Sequence, residues 1–330
     1  VNASNTFPLG SGPLTTSGSL LNAIQNPNKA LAVGITASSS GANDPFTAIW
    51  DDIRILFNDP NALIGQWQTI NDGQNCAPKG SPGSCPIGRH ENSYVEVGDK
   101  FYMLGGRETN VVDIYDPITD IWTEGAAAPI VLNHFQALEY QGLIYVMGAF
   151  MGDYPNEIAV PNIYIYDPTM DRWTVGPEIP VARRRGGAAA VTYKGKIYLA
   201  GGLTNGHNDG SVSWLDEYDP RTNTWTSLTD ALNNRDHFHA VTWDDKLYLI
   251  AGKETGLGGN THATQSIVDE YDFVNETWQS LPNPIPTPRG GNSIALLGDE
   301  VLVIGGENAL GTSLNKTEAL NLENGTWRTL

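Results

Sequence analysis

Residues 187–228 read GAAAVTYKGKIYLAGGLTNGHNDGSVSWLDEYDPRTNTWTSL, and four short runs within them carry the apolar, period-two pattern of strands. GAAAVTY (187–193) turns into KIYLAGG (196–202); after a loop, VSWLDEYD (212–219) turns into TWTSL (224–228). A Tyr closes the third run, Asp-Pro opens a turn and a Trp begins the return, which is hairpin chemistry. The glycine pair ending the second run lets another backbone approach closely.

The same arrangement recurs on both sides. Trp67, Trp122, Trp173, Trp225, Trp278 and Trp327 are spaced by 55, 51, 52, 53 and 49 residues. Seven residues before the last five stand Tyr115, Tyr166, Tyr218, Tyr271 and Leu320, and the first three of these open a Tyr-Asp-Pro. Upstream lie FYMLGG (101–106), IYVMGA (144–149), IYLAGG (197–202), LYLIAG (247–252) and VLVIGG (301–306). A four-stranded unit of this size cannot cover its own two faces, so the units must stack; arranged radially they make a β-propeller.

The glycine doublet, the Tyr-Asp-Pro and the Trp at fixed offsets resemble the kelch repeat over residues 17–330. The resemblance implies an all-β, six-bladed kelch-type propeller with four antiparallel strands per blade. The expected blades are 17–70, 89–126, 132–177, 185–229, 235–282 and 289–330. The first is degenerate, with LAVGI (31–35), IRILF (53–57) and Trp67, and the last has Leu320-Asn321-Leu322 in place of Tyr-Asp-Pro. Residues 1–16 are left over as an extended N-terminal tail with apolar Phe7, Pro8, Leu9 and Leu14. Such a tail is expected to pair with an open blade edge, of its own molecule or of a neighbour; the second choice gives a homo-oligomer or filament.

Thirty-seven acidic against nineteen basic residues give a net charge of −18, which excludes a phosphate-neutralising nucleic-acid face. No apolar run approaches the ~18 residues of a membrane span. Cys76 and Cys85 bracket CAPKGSPGSC, and their spacing fits no zinc site. They read as a local disulfide, implying an oxidising compartment, or as two free buried thiols. Val1 at the start reads as a removed signal peptide or a fragment. Sequons occur at Asn2, Asn275, Asn315 and Asn324; the second and fourth fall in turns before a blade Trp, on the outer rim. A secreted, extracellular glycoprotein is the expectation.

Sixteen residues before the first position of each doublet lies an arginine in four units, Arg89, Arg185, Arg235 and Arg289, with Leu132 in the third blade. This position begins the innermost strand, so the four are expected to converge at one mouth of the central channel. Guanidinium forks there suit carboxylates or sulfates, and in some kelch adaptor proteins arginines at this point bind acidic peptides, which is what the resemblance implies. The other reading has them tying blades together through backbone carbonyls and acidic loops.

Two residues further along stand Glu91, His134 and His237, with His239 following. His237 and His239 share a strand face and could chelate a metal; polar residues filling a wet channel read the same way, and no metal or cofactor is assigned. Tyr154, His207 and His262 lie in the variable loops between second and third strands. The expected function is a non-catalytic binding or structural module for a protein partner, acidic peptide or acidic glycan. The alternative is an enzyme on anionic sugars, resembling a six-bladed sialic-acid mutarotase, with Arg, His and Glu moving protons. No Gly-x-Ser-x-Gly, His-Glu-x-x-His or phosphate-loop motif is present.

Overall fold

Among the described residues, five sheets of four strands follow one another along the chain. Their strands are Ser93–Val97, Lys100–Leu104, Val112–Asp116 and Ile121–Gly125 in blade 2; Leu138–Tyr140, Leu143–Val146, Asn162–Asp167 and Arg172–Glu178 in blade 3; Ala189–Tyr193, Lys196–Ala200, Leu215–Asp219 and Thr224–Ser227 in blade 4. Blade 5 has His239–Trp243, Lys246–Ile250, Asp269–Asp272 and Thr277–Ser280, and blade 6 has Ser293–Leu297, Glu300–Ile304, Thr317–Asn321 and Thr326–Thr329. Within each sheet the strands pair in sequence order. This computed structural model describes residues 76–256 and 263–330. The tail (1–16), the first blade (17–70), Asn2 and His262 lie outside the described residues.

The repeat signature is cross-strand packing. Tyr115, Tyr166, Tyr218 and Tyr271 lie opposite Trp122, Trp173, Trp225 and Trp278, with ring centroids 4.9, 5.2, 4.8 and 4.9 Å apart. Leu320 faces Trp327 in the last blade, keeping the register without the ring. The Asp of Tyr-Asp-Pro closes the turn itself: Asp116 Oδ1 accepts from the N–H groups of Ile118 and Thr119. Asn321 Oδ1 does the same for Glu323 and Asn324, so the sixth unit departs in sequence while keeping the turn.

The core lies between blades. Alternation sends Leu199 toward blade 3, where it meets Leu138, Met147 and Ile163, and Tyr198 toward blade 5, where it meets Phe238, Leu247 and Tyr271. The other two described junctions are built alike, Leu104 with Ile144 and Tyr166, and Ile250 with Val301 and Leu320. The doublet glycines permit the close stacking: a Cβ at Gly105 (φ +64°) would lie 2.3 Å from the Leu132 carbonyl oxygen of the next blade. The Gly106, Gly202 and Gly252 N–H groups donate to the carbonyls of Leu132, Arg235 and Arg289, one blade onward.

Cys76 and Cys85 are bonded to each other. Their loop lies along the outer strand of blade 2, with Gly80 N–H donating to Trp122 O at 2.8 Å and Trp122 N–H to Ser84 Oγ at 2.9 Å. It therefore covers an open sheet edge. Asn275 and Asn324 are exposed in turns between third and fourth strands, and Asn315 is exposed ahead of a third strand. No helix among the described residues is long and apolar enough to cross a membrane.

Candidate functional site at the channel mouth

The four arginines do not converge at the channel mouth. Arg185, Arg235 and Arg289 are 0% exposed, and each is turned back into its own blade. The sixteen-residue spacing is a hydrogen bond: Arg89, Arg185, Arg235 and Arg289 donate to the carbonyls of Gly105, Gly201, Ala251 and Gly305 at 3.0, 2.6, 3.0 and 3.0 Å. A buried guanidinium needs a counter-charge, and the third strand supplies it two residues before the repeat Tyr or Leu. Asp113 pairs with Arg89, Asp216 with Arg185 at 2.7 Å, Asp269 with Arg235 at 2.7 Å and Glu318 with Arg289 at 2.6 Å. Burial lowers the pKa of all four, Arg185 to about 10, which leaves them charged at neutral pH. In blade 3 both members change together: Leu132 and Tyr164 occupy the two positions and belong to one apolar cluster.

Two residues onward the picture inverts. Glu91, His134, Gly187, His237 and Gly291 have φ of 59, 53, 64, 51 and 63°. Each of the last four donates its N–H to the carbonyl of the preceding one, at 2.9, 2.9, 3.0 and 2.7 Å, a belt stitched through five blades. Glycine takes this left-handed conformation freely, whereas other residues hold it at a cost of about 1–3 kcal/mol, a burden that collects at functional sites. Three blades thus accept strain at a position that faces a central cavity of about 460 Å³, lined by Glu91, His134, His237, His239, Asn292 and Glu307 among others.

Each belt imidazole is aimed by the residue before it. Asn133 Oδ1 lies 2.6 Å from His134 Nδ1, and Asp236 Oδ1 lies 2.5 Å from His237 Nδ1. Asp236 is itself held by the Thr255 N–H and hydroxyl. Both imidazoles therefore turn Nε2 toward the channel. His134 Nε2 stands 3.2 Å from Glu91 Oε2, while the buried His237 Nε2 has no hydrogen-bond partner among the described residues.

Loops between second and third strands close over this belt. Arg107 Nε donates to Glu157 Oε1 at 2.8 Å, its Nη2 lies 3.4 Å from His134 Nε2 and 3.5 Å from His207 Nδ1, and its guanidinium is 5.0 Å from the Tyr154 ring. The rings of His134, His207 and His237 are mutually edge-on, with centroids 4.8 to 5.0 Å apart. Burial lowers the His134 pKa; burial, then the charges of His237, His134 and Arg107, push His207 down to about 3. Burial opposes a charge on Glu91, yet the His134 hydrogen bond and the surrounding positive charges hold its carboxyl below the usual range.

Glu91, His134 and His237 are thus brought together, and the arginines are not. His239 does not join His237 as a chelating pair: it sits on the inner strand bonded to the Phe135 backbone, with burial lowering its pKa to about 4. The histidine that completes the group is His207, from a variable loop. Sequence reasoning missed Arg107, Glu157 and Asp236. Arg107 had a signal, since it directly follows a glycine doublet, where Lys253 and Glu307 also stand and pair across blades 5 and 6.

Stacked four-stranded blades around a polar, belt-lined mouth define the kelch-type β-propeller. The KLHDC2/KLHL20/DRC7 Kelch-repeats domain matches residues 134–330, and the chain belongs to this kelch-repeat family. Kelch-like protein terF of Aspergillus terreus is 32% identical, over 74% of this chain and 54% of its own length. Kelch-like protein 23 of Homo sapiens is 27% identical over 69% of this chain and 38% of its own. The chain spans about half or less of the length of these relatives. A solved chain titled "Structure of YjhT" shares the fold, with TM-score 0.57 and 16% identity over 74% of this chain and 98% of that one.

Proposed function

We propose that this chain is an extracellular interaction module whose loop-covered channel mouth receives a protein partner. The observation that carries the reading is Tyr154, 60% exposed on an otherwise ion-paired cluster of Arg107, Glu157 and His207. An exposed ring on a fixed polar base is the kind of group that anchors interfaces. A polyanionic glycan or peptide is less supported, because Arg107 and Lys253 at this mouth are already paired with Glu157 and Glu307. The Cys76–Cys85 bond supports the extracellular assignment. Self-association through residues 1–16 belongs to the same proposal, and a chain lacking them should remain folded and no longer self-associate.

The test is site-specific photocrosslinking in native extracellular material. A photoreactive side chain at Tyr154 should capture a discrete protein whose affinity falls at least tenfold in Tyr154→Ala with Arg107→Ala. The same group at Ile118, 72% exposed in a turn between third and fourth strands, should not capture it. Equal capture from both positions, or an affinity that the double variant leaves intact, contradicts the reading. The second reading, an enzyme on anionic sugars, rests on the Asp236–His237 couple beside Glu91, which has the make-up of a general base. Turnover that vanishes in a folded His237→Ala chain would favour it.

A further inference from the structure

We propose that His134, His207 and His237 form a binding site for a first-row divalent transition-metal ion at the channel mouth. The inference is independent of the partner reading. The three imidazoles come from the belts of blades 3 and 5 and from a blade 4 loop, and their ligating nitrogens all lie within 4.8 Å of one another. An equilateral triangle with 4.8 Å sides has its centre about 2.8 Å from each corner; since metal–imidazole bonds run about 2.0–2.1 Å, inward shifts below about 1 Å complete a coordination set.

Three features make this more than proximity. Asp236 and Asn133 take the Nδ1 protons of His237 and His134, the outer-shell arrangement that fixes an imidazole as a metal donor. His237 Nε2 is then a buried lone pair without a partner among the described residues, and buried acceptors are costly to leave unmet. His134 Nε2 stands 3.2 Å from Glu91 Oε2, which sets a carboxylate beside the trio. Three imidazole nitrogens suit zinc, copper, nickel or iron rather than magnesium or calcium.

Arg107 supplies the control. Its Nη2, close to His134 Nε2 and His207 Nδ1, stands where a cation is wanted, while Glu157 and Tyr154 hold the rest of the guanidinium. An incoming ion must displace this nitrogen and work against its charge, so removing it should tighten binding.

The experiment is calorimetric titration of the chelator-treated full chain with zinc sulfate. One ion per chain should bind, and His207→Ala, a loop substitution outside every blade strand, should weaken it at least a hundredfold, as should His134→Ala and His237→Ala. His90→Ala, whose imidazole lines the cavity outside the cluster, should bind as the parent does, and Arg107→Met should bind about tenfold tighter. Cobalt in place of zinc should give the visible absorption of a low-coordinate nitrogen site. No binding by the parent chain, or binding that survives His207→Ala with an unchanged melting temperature, overturns the proposal. So does an Arg107→Met affinity no better than the parent's.

Discussion

Two residues separate the arginine register from the belt register, and the two do opposite things. Arg185 and Arg289 are wholly buried and closed by carbonyls and a carboxylate within their own blade. His237, also buried, is held on one side only and offers the other side to the channel, and His134 turns its second nitrogen to Glu91 and Arg107 there. The first register spends its chemistry on holding strands two and three together. The second accepts a left-handed backbone in order to keep chemistry unspent. Blade 3 shows that the arginine–carboxylate pair is one solution among others, since Leu132 and Tyr164 replace it there. A well-packed apolar pair can match a buried ion pair, whereas half a pair cannot.

The largest expected effect follows from that last point. Arg235→Leu leaves Asp269, 0% exposed, without its cation and should cost about 3–5 kcal/mol. Adding Asp269→Tyr, which copies blade 3, should recover more than half of it. Urea unfolding of the three chains measures this, and a double variant no more stable than the single one would break the equivalence of the blades.

Next in size is the response to acid. Burial pushes the pKa values of His207 and His239 down to about 3 and about 4 from the ordinary 6.5 of an imidazole. The unfolded chain therefore takes up protons that the folded chain refuses, so the stability these groups contribute is complete above pH 6.5 and declines as pH falls toward 4. Urea midpoints should fall over that window and fall less in His207→Ala. A midpoint that is flat from pH 7 to 5 would contradict the burial of these imidazoles.

The smallest effect tests the belt backbone. A Cβ at Gly291 meets nothing within 4 Å, so Gly291→Ala bears only its φ of +63° and should cost about 1–2 kcal/mol. Gly105→Ala, with a carbonyl oxygen 2.3 Å away, should cost distinctly more. Equal costs would mean that conformation, not blade contact, selects glycine at both positions.

The blades were legible because their signals are local. Tyr-Asp-Pro and Trp act within one hairpin, and even Leu320-Asn321 keeps the turn and the register. The direction of the arginines was not legible because alternation places a side chain on a face without saying how its long stem folds back; the alternative of carbonyl and acidic partners holds, within each blade rather than between blades. Their partners stood in plain view, however: Asp113, Asp216, Asp269 and Glu318 occupy one repeat position, and Tyr164 holds it only where Leu132 replaces arginine. The meeting of His207 with His134 and His237 had no sequence signal, since a loop of variable length carries no register and only folding brings it over the belt.

The central claim is that the arginine register closes blades 2, 4, 5 and 6 while the belt register presents imidazole nitrogens to the channel. Nitrogen-15 NMR of the His237 imidazole in the metal-free chain at neutral pH tests it most directly. The account predicts the His237 proton on Nδ1, toward Asp236, with Nε2 bare. A proton on Nε2 of that ring would contradict it.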